Sequence, residues 1–175
     1  MSEELRYPAG HPDRKPNLTA AERRELVDQI AAMPDQLRAA VAGWTDAQLD
    51  TPYRPEGWTA RQVVHHLADS HMHSYTRFRF GLAEDHPTVK PYDEAAWANL
   101  TDARTAPVDW SLQLVESVHR RWVMLMRSLD ETSFARTVIH PENGVMTLDQ
   151  VLQIYSWHGR HHVAHITGLA RRSGW

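Results

Sequence analysis

Residues 59–84 read TARQVVHHLADSHMHSYTRFRFGLAE. Thr59 followed three residues later by Gln62 is the pattern of a capping box, in which two side chains satisfy amides that a helix start leaves orphaned. Val64, Leu67, Ala68, His71, Tyr75, Phe78 and Leu82 then recur at helical spacing and form one stripe. The stretch therefore predicts an amphipathic helix from Ala60 to about Glu84, with its apolar stripe facing a core.

The same start signal recurs on both sides. Thr19/Glu22 opens a helix from about Ala20 to Gly43, with a bend expected at Pro34, because proline lacks the amide and crowds the preceding turn. Thr45/Gln48 opens only a short turn before Thr51-Pro52. Thr147/Gln150 opens a helix from Leu148 to about Arg172, with Leu148, Val151, Leu152, Tyr155, Val163, Ile166 and Leu169 along one side. A further helix is predicted from about Ser111 to Leu129, carrying Leu112, Val115, Val118, Trp122, Leu125 and Leu129. Thr137 to Met146 reads as extended chain around Glu142-Asn143-Gly144, at most a small hairpin.

Four long amphipathic helices without a convincing sheet predict an all-α fold, a four-helix bundle, formed as one domain over residues 1–175. A polar linker of roughly 25 residues, with Pro87, Pro91 and Pro107, separates the second and third long helices and argues against a simple up-down arrangement.

At 175 residues the chain can bury a core without staples. Its net charge of -3 provides no basic footprint, so nucleic acid is not an expected partner. It has no cysteine, which removes thiolate nucleophiles, thiolate metal sites and disulfides, and leaves histidine and carboxylate as the common ligands. Met1 to Lys15 lacks an apolar signal-like segment and no stretch approaches 18 uninterrupted apolar residues, so neither membrane insertion nor export is expected. A cytoplasmic location is the expectation.

Histidine is the unusual residue: of 12, four lie between His65 and His73 and four between His158 and His165. Histidines four apart on a helix project from one side, which lets two imidazoles reach one ion; His158/His162 and His161/His165 both qualify. Three neutral imidazoles would leave an open position for water or substrate, as in catalytic sites, and suit Zn, Ni, Cu or Fe. A lone HxxxH is a weak signal, but matched clusters on two helices are a stronger one. Periodicity alone would choose differently among the eight. His71 and His162 lie within the apolar stripes, whereas His66, His161 and His165 lie at or beyond their edges.

Longer segments add specificity. Tyr7-Pro8, Gln48-Leu49-Asp50-Thr51-Pro52-Tyr53-Arg54, Gly57-Trp58-Thr59, Gln62 to Met72, Pro91-Tyr92-Asp93-Glu94 and Trp157 to Thr167 together resemble the DinB/YfiT-like metal-dependent enzymes, YfiT-like branch, over nearly the whole chain. In that family the histidine before the leucine of a Trp-Thr-x-x-Gln-Val-Val-x-His-Leu pattern is the first ligand, which falls on His66 here. A His-x-x-x-His pair in the last helix supplies the others, which fall on His161 and His165. The neighbouring His65, His71, His158 and His162 leave room for a slipped alignment. The resemblance implies a four-helix bundle, one divalent ion per chain, Zn or Ni, and a homodimer. It also implies activity as a hydrolase or as an S-transferase that joins a low-molecular-weight thiol to an electrophile.

An ion held by neutral imidazoles keeps its full charge, so it would acidify water and polarise a small-molecule substrate. For a thiol cosubstrate the same charge favours the thiolate. Asp69, one turn from His66, is the candidate general base, although a carboxylate there is more often a solvated or supporting group. Tyr92, Asp93 and Trp97 could line a pocket, and Trp157 is open to the same reading. Arg171 and Arg172 most simply complement the negative end of the last helix.

Overall fold

A computed structural model describes residues 2–12 and 14–175; Met1 and Asp13, at the ends of the predicted polar N-terminal stretch, lie outside the described residues. In chain order the elements are α1 (Ser2–Arg6), α2 (Ala20–Ala40), α3 (Asp46–Leu49), α4 (Ala60–Ala83), α5 (Glu94–Ala98), α6 (Thr101–Thr105), α7 (Val108–Arg127), α8 (Glu131–Phe134), β1 (Thr137–His140), β2 (Gly144–Thr147) and α9 (Leu148–Ser173). The long helices α2, α4, α7 and α9 form a four-helix bundle.

All four capping boxes are present with both reciprocal bonds, at Thr19, Thr45, Thr59 and Thr147. They fix where three of the long helices begin. α7 starts three residues before the predicted Ser111, directly after Pro107, with no side-chain cap. Proline is tolerated there because a helix start has amides to spare. α2 runs on through Pro34, which is buried in the bundle. The extended segment closes as a small antiparallel hairpin, Val138 opposite Met146, around the predicted turn.

α2 packs mainly on α7 and α9, and α4 mainly on the same two helices, so α2 and α4 face each other across the bundle. α7 and α9 form the other diagonal. The long linker thus joins adjacent helices, α4 and α7, and spends its length on α5 and α6, which pack against α4. The simple up-down order is broken instead at the other two connections, which cross the diagonals.

The apolar core falls into two clusters. One gathers Ile30, Phe78, Trp122, Met126, Leu148 and Leu152. The other gathers Leu37, Val63, Val64, Leu67, Val115 and Ile166. Between these levels of the helices lie His71 on α4 and His119 on α7, 0% and 1% exposed. Gly159 lets α9 approach closely here, since a Cβ on it would stand 2.9 Å from Met33 Cγ and 3.5 Å from His71 Cε1.

Candidate metal centre

Two of the four helices carry the histidine clusters, and their contact along the bundle brings five imidazoles to one cleft. His66, His158, His161, His162 and His165 all line a cavity of about 490 Å³, closed by Tyr7, Tyr53, Trp58 and Trp157. The three histidines that the family pattern selects therefore share one space. They do not form the tightest groups: His66, His158 and His162 bring nitrogens within 4.8 Å of one another, and so do His161, His162 and His165.

The nitrogens face each other at separations that suit a common ion. His66 Nε2 and His158 Nε2 are 3.2 Å apart, and His165 Nδ1 and His162 Nδ1 are 3.3 Å apart. Two ligand nitrogens on a tetrahedral zinc stand about 3.4 Å from each other. His161 Nδ1 is buried and has no hydrogen-bond partner, and an orphaned buried nitrogen is costly unless something binds it. The donor set fits a borderline-soft divalent ion.

Burial keeps the imidazoles neutral, the form that offers a lone pair. It pulls His66 down to about 4, with His161 adding to the effect, and pulls His161 to about 4, with His165 and His11 adding. His165 also falls to about 4 by burial, against the pull of the Arg6 carbonyl. His158 and His162 are lowered further by burial and by the other imidazoles.

Three of the five rings have the shortest aromatic contacts, ahead of Tyr155 on His158 at 5.5 Å and Trp58 on His162 at 6.5 Å. Tyr53 stacks on His165 with centroids 3.9 Å apart, Trp157 stacks on His161 at 4.4 Å, and Trp58 tilts against His66 at 4.8 Å. The braces are themselves anchored. Arg172, in the last turn of α9 as expected, also donates to the Tyr53 carbonyl at 2.6 Å, a tie between the end of α9 and the loop. Trp157 Nε1 donates to the Gly10 carbonyl at 2.9 Å, and the Arg6 carbonyl accepts from His165 Nε2 at 3.1 Å. The N-terminal segment is thus drawn over the cleft, a contribution that helix periodicity could not show.

The other candidates separate. His65 is spoken for by the α7 side, with Ser111 Oγ 2.7 Å from Nδ1 and the Ala106 carbonyl 3.2 Å from Nε2. His71 lies in the core. His73 stacks on Tyr92 at 4.4 Å, and the Tyr92 hydroxyl stands 3.5 Å from His66 Nδ1. Trp97 packs on both Tyr92 and His73. Asp93 caps α5 by accepting from the Ala96 amide. Asp69 does not line the cleft; burial and then Asp102 raise its carboxyl to about 6.

A second cavity of about 600 Å³ adjoins the first, sharing His158 and Glu94 with it. Its floor is apolar, from Val89, Val138, Met146, Val151 and Ile154, and Arg77, Tyr92, Tyr155 and His140 provide polar walls. No helix among the described residues is long and apolar enough to cross a membrane.

This bundle, with its imidazole-lined cleft, is the kind of scaffold that hosts metal chemistry, and comparison with known proteins agrees. The chain belongs to the DinB superfamily, whose family model matches residues 29–166. It is 46% identical over 172 residues to a Bacillus subtilis (strain 168) protein named "Putative metal-dependent hydrolase YfiT", covering 98% of this chain and 97% of that protein. A Bacillus cereus (strain 03BB102) protein, also named "Putative metal-dependent hydrolase", is 47% identical over 172 residues, covering 98% and 99%. The solved structure of YfiT from Bacillus subtilis superposes with a TM-score of 0.96 at 46% identity, covering 98% of this chain and 99% of that one. That protein is described as "a probable metal-dependent hydrolase with an unusual four-helix bundle topology".

Proposed function

We propose that the chain is a metal-dependent hydrolase of small molecules in which His66, His161 and His165 hold one zinc or nickel ion. The observation that carries this choice is the bracing: of the five cleft rings these three, one from α4 and two from α9, have the closest aromatic partners, Trp58, Trp157 and Tyr53, at 3.9–4.8 Å against 5.5 Å and 6.5 Å for His158 and His162. Side chains held by packing and by second partners keep ligand geometry at low entropic cost. His158 and His162 form the alternative set with His66. His66 is common to the two sets and a neutral imidazole has one free lone pair, so they are alternative seats for one ion.

Bound there, zinc or nickel supplies Lewis-acid chemistry, which acidifies water and polarises a substrate oxygen or sulfur. The chain's own residues do the rest. Tyr7, Tyr53, Trp58 and Trp157 narrow the cleft and exclude bulk water, which strengthens every charge interaction inside it. The adjoining cavity holds the substrate body on its apolar floor. Asp69, with a carboxyl titrating near neutrality, is kept as the candidate base on the linker side.

The second reading is thiol S-transfer, and the specific observation behind it is the pair of contiguous cavities, which leaves room for a thiol and an electrophile together. In a homodimer, Trp110 and Met124, 65% and 78% exposed, would be covered on α7.

The deciding experiment is elemental analysis of the purified chain beside single alanine variants of all five cleft histidines. Loss of metal from the His66, His161 and His165 variants with retention in the His158 and His162 variants supports the triad; loss from the His66, His158 and His162 variants with retention in the His161 and His165 variants moves the ion to the other set. Ester, amide and lactone turnover without thiol supports hydrolysis. Consumption of monobromobimane only with added thiol supports transfer instead.

A further inference from the structure

One chain of imidazoles runs from the middle of the bundle to the cleft. His119 Nδ1 lies 2.7 Å from the Ile30 carbonyl of α2. His119 Nε2 lies 2.9 Å from His71 Nδ1, and His71 Nε2 lies 3.2 Å from His158 Nδ1. His158 Nε2 then meets His66 Nε2 at 3.2 Å.

Hydrogen-bond logic fixes the proton on each ring. A carbonyl oxygen can only accept, so the proton of His119 is on Nδ1 and its Nε2 offers a lone pair. His71 and His119 are 0% and 1% exposed, and no carboxylate among the described residues hydrogen-bonds either ring, so both stay neutral. His71 must therefore donate from Nδ1 to His119 and accept at Nε2. His158 must donate from Nδ1 to His71. Its remaining nitrogen, Nε2, then carries a lone pair turned to the cleft.

We propose that His119 and His71 are positioning residues for the metal centre, locking His158 through the Ile30 carbonyl in the tautomer whose lone pair, not its N–H, faces the cleft. This rests on the metal reading of the cleft. In the wrong tautomer His158 would aim a positively polarised N–H at the space a cation takes, and His66 Nε2–H would lose its acceptor. In the locked tautomer His66 donates Nε2–H to His158 while the cleft holds no ion. Were His66 to hold an ion through Nε2, its proton would reside on Nδ1, where the Tyr92 hydroxyl, 3.5 Å away, can accept it. A remote support of this kind is worth about 10–100-fold in metal affinity.

Two substitutions separate positioning from core filling. His119→Gln keeps the bonding pattern, since its amide N–H can donate to Ile30 and its carbonyl can accept from His71. His119→Phe fills the space but supplies neither. Nitrogen-15 NMR of the metal-free full chain, labelled at histidine, should show His119, His71 and His158 each as the Nδ1–H tautomer. Nickel titration should show His119→Phe weakened about 10-fold or more, and His119→Gln within about 3-fold of wild type. His158 protonated on Nε2 in the wild-type spectrum overturns the proposal, as does a folded His119→Phe chain with unchanged nickel affinity. If His119→Phe does not fold, the wild-type spectrum and the Gln variant decide. A wild-type chain that takes up no nickel or zinc overturns the metal reading itself, which the tautomer spectrum measures separately.

Discussion

His71 and His119 in the core and His161 and His165 in the cleft are all buried, all neutral, and all carried by bundle helices, yet they are in opposite chemical situations. Every ring nitrogen of the core pair has a partner, the last being a backbone carbonyl. In the cleft, imidazole nitrogens confront one another and His161 Nδ1 has none. A buried histidine is thus poor evidence for a ligand, and a buried lone pair with nothing to bind is good evidence. The core pair uses its bonds to specify the fold; the cleft leaves part of its bonding capacity for something that arrives.

Acid breaks the comparison hardest, because it charges both sets. Burial pulls His66, His119, His161 and His165 down to about 4 from the ordinary imidazole value of 6.5. The unfolded chain takes up protons first, so stability is complete above about pH 6.5 and is lost as pH falls toward 4. Each group fully expressed is worth of order 2–3 kcal/mol, and a few together match the whole stability of a domain. The metal-free chain should unfold before pH 4, with several protons bound in the transition. Metal-loaded chain should hold to lower pH, since a ligated cleft resists protonation while the core pair does not. Coincident acid transitions with and without nickel would show that the cleft set holds no ion.

Removing one ring sharpens the same contrast. His161→Ala should lower nickel or zinc affinity by about 100-fold or more, while the metal-free melting temperature changes little, because its orphaned nitrogen supports nothing. His71→Ala should do the converse to stability: it leaves a cavity and strips partners from His119 and His158, a loss of about 2–4 kcal/mol. Equal destabilisation of the two metal-free variants, followed by chemical denaturation, would erase the distinction.

Gly159 lies at the boundary between the sets. A methyl there meets Met33 Cγ at 2.9 Å and His71 at 3.5 Å. Met33 is flexible but buried, so Gly159→Ala should cost about 1–2 kcal/mol through overpacking, partly offset by the better helix propensity of alanine. A variant more stable than wild type in urea would show that the core yields there.

How much of this could be read from the sequence follows from how local each determinant is. The capping boxes are four-residue patterns and they located the starts of α2, α3, α4 and α9 to the residue. α7 begins at Val108, after Pro107 and without a side-chain cap, so no capping pattern marks its start. α5 was missed although Asp93 ahead of an alanine-rich segment was a visible cap signal. The two histidine clusters were plain, but the choice among them was not. What separates His65 from His66 is a contact with Ser111, and what braces His165 is Tyr53, neither nearby in sequence. His119 lies on the stripe of Val115 and Trp122 and reads as one more core position until the Ile30 carbonyl is seen beside it.

Asp69 provides the gentlest test, because it is on the same helix as His66 but turned to the linker. Its carboxyl is raised from 3.8 to about 6, first by burial and then by Asp102. The fold therefore prefers the protonated form: below about pH 4 wild type carries no penalty, and the penalty grows as pH rises through 6. Asn has the shape of the protonated acid without the charge. Asp69→Asn should gain about 1–2 kcal/mol at pH 8, read as a higher melting temperature, and the gain should shrink as pH falls toward 5. In the assay that shows turnover, a rate loss beyond about 100-fold with metal content unchanged would make Asp69 a base. A stabilised variant with nearly full rate would leave it as a carboxylate that the linker buries at some cost, and would leave the chemistry to the histidine side of α4.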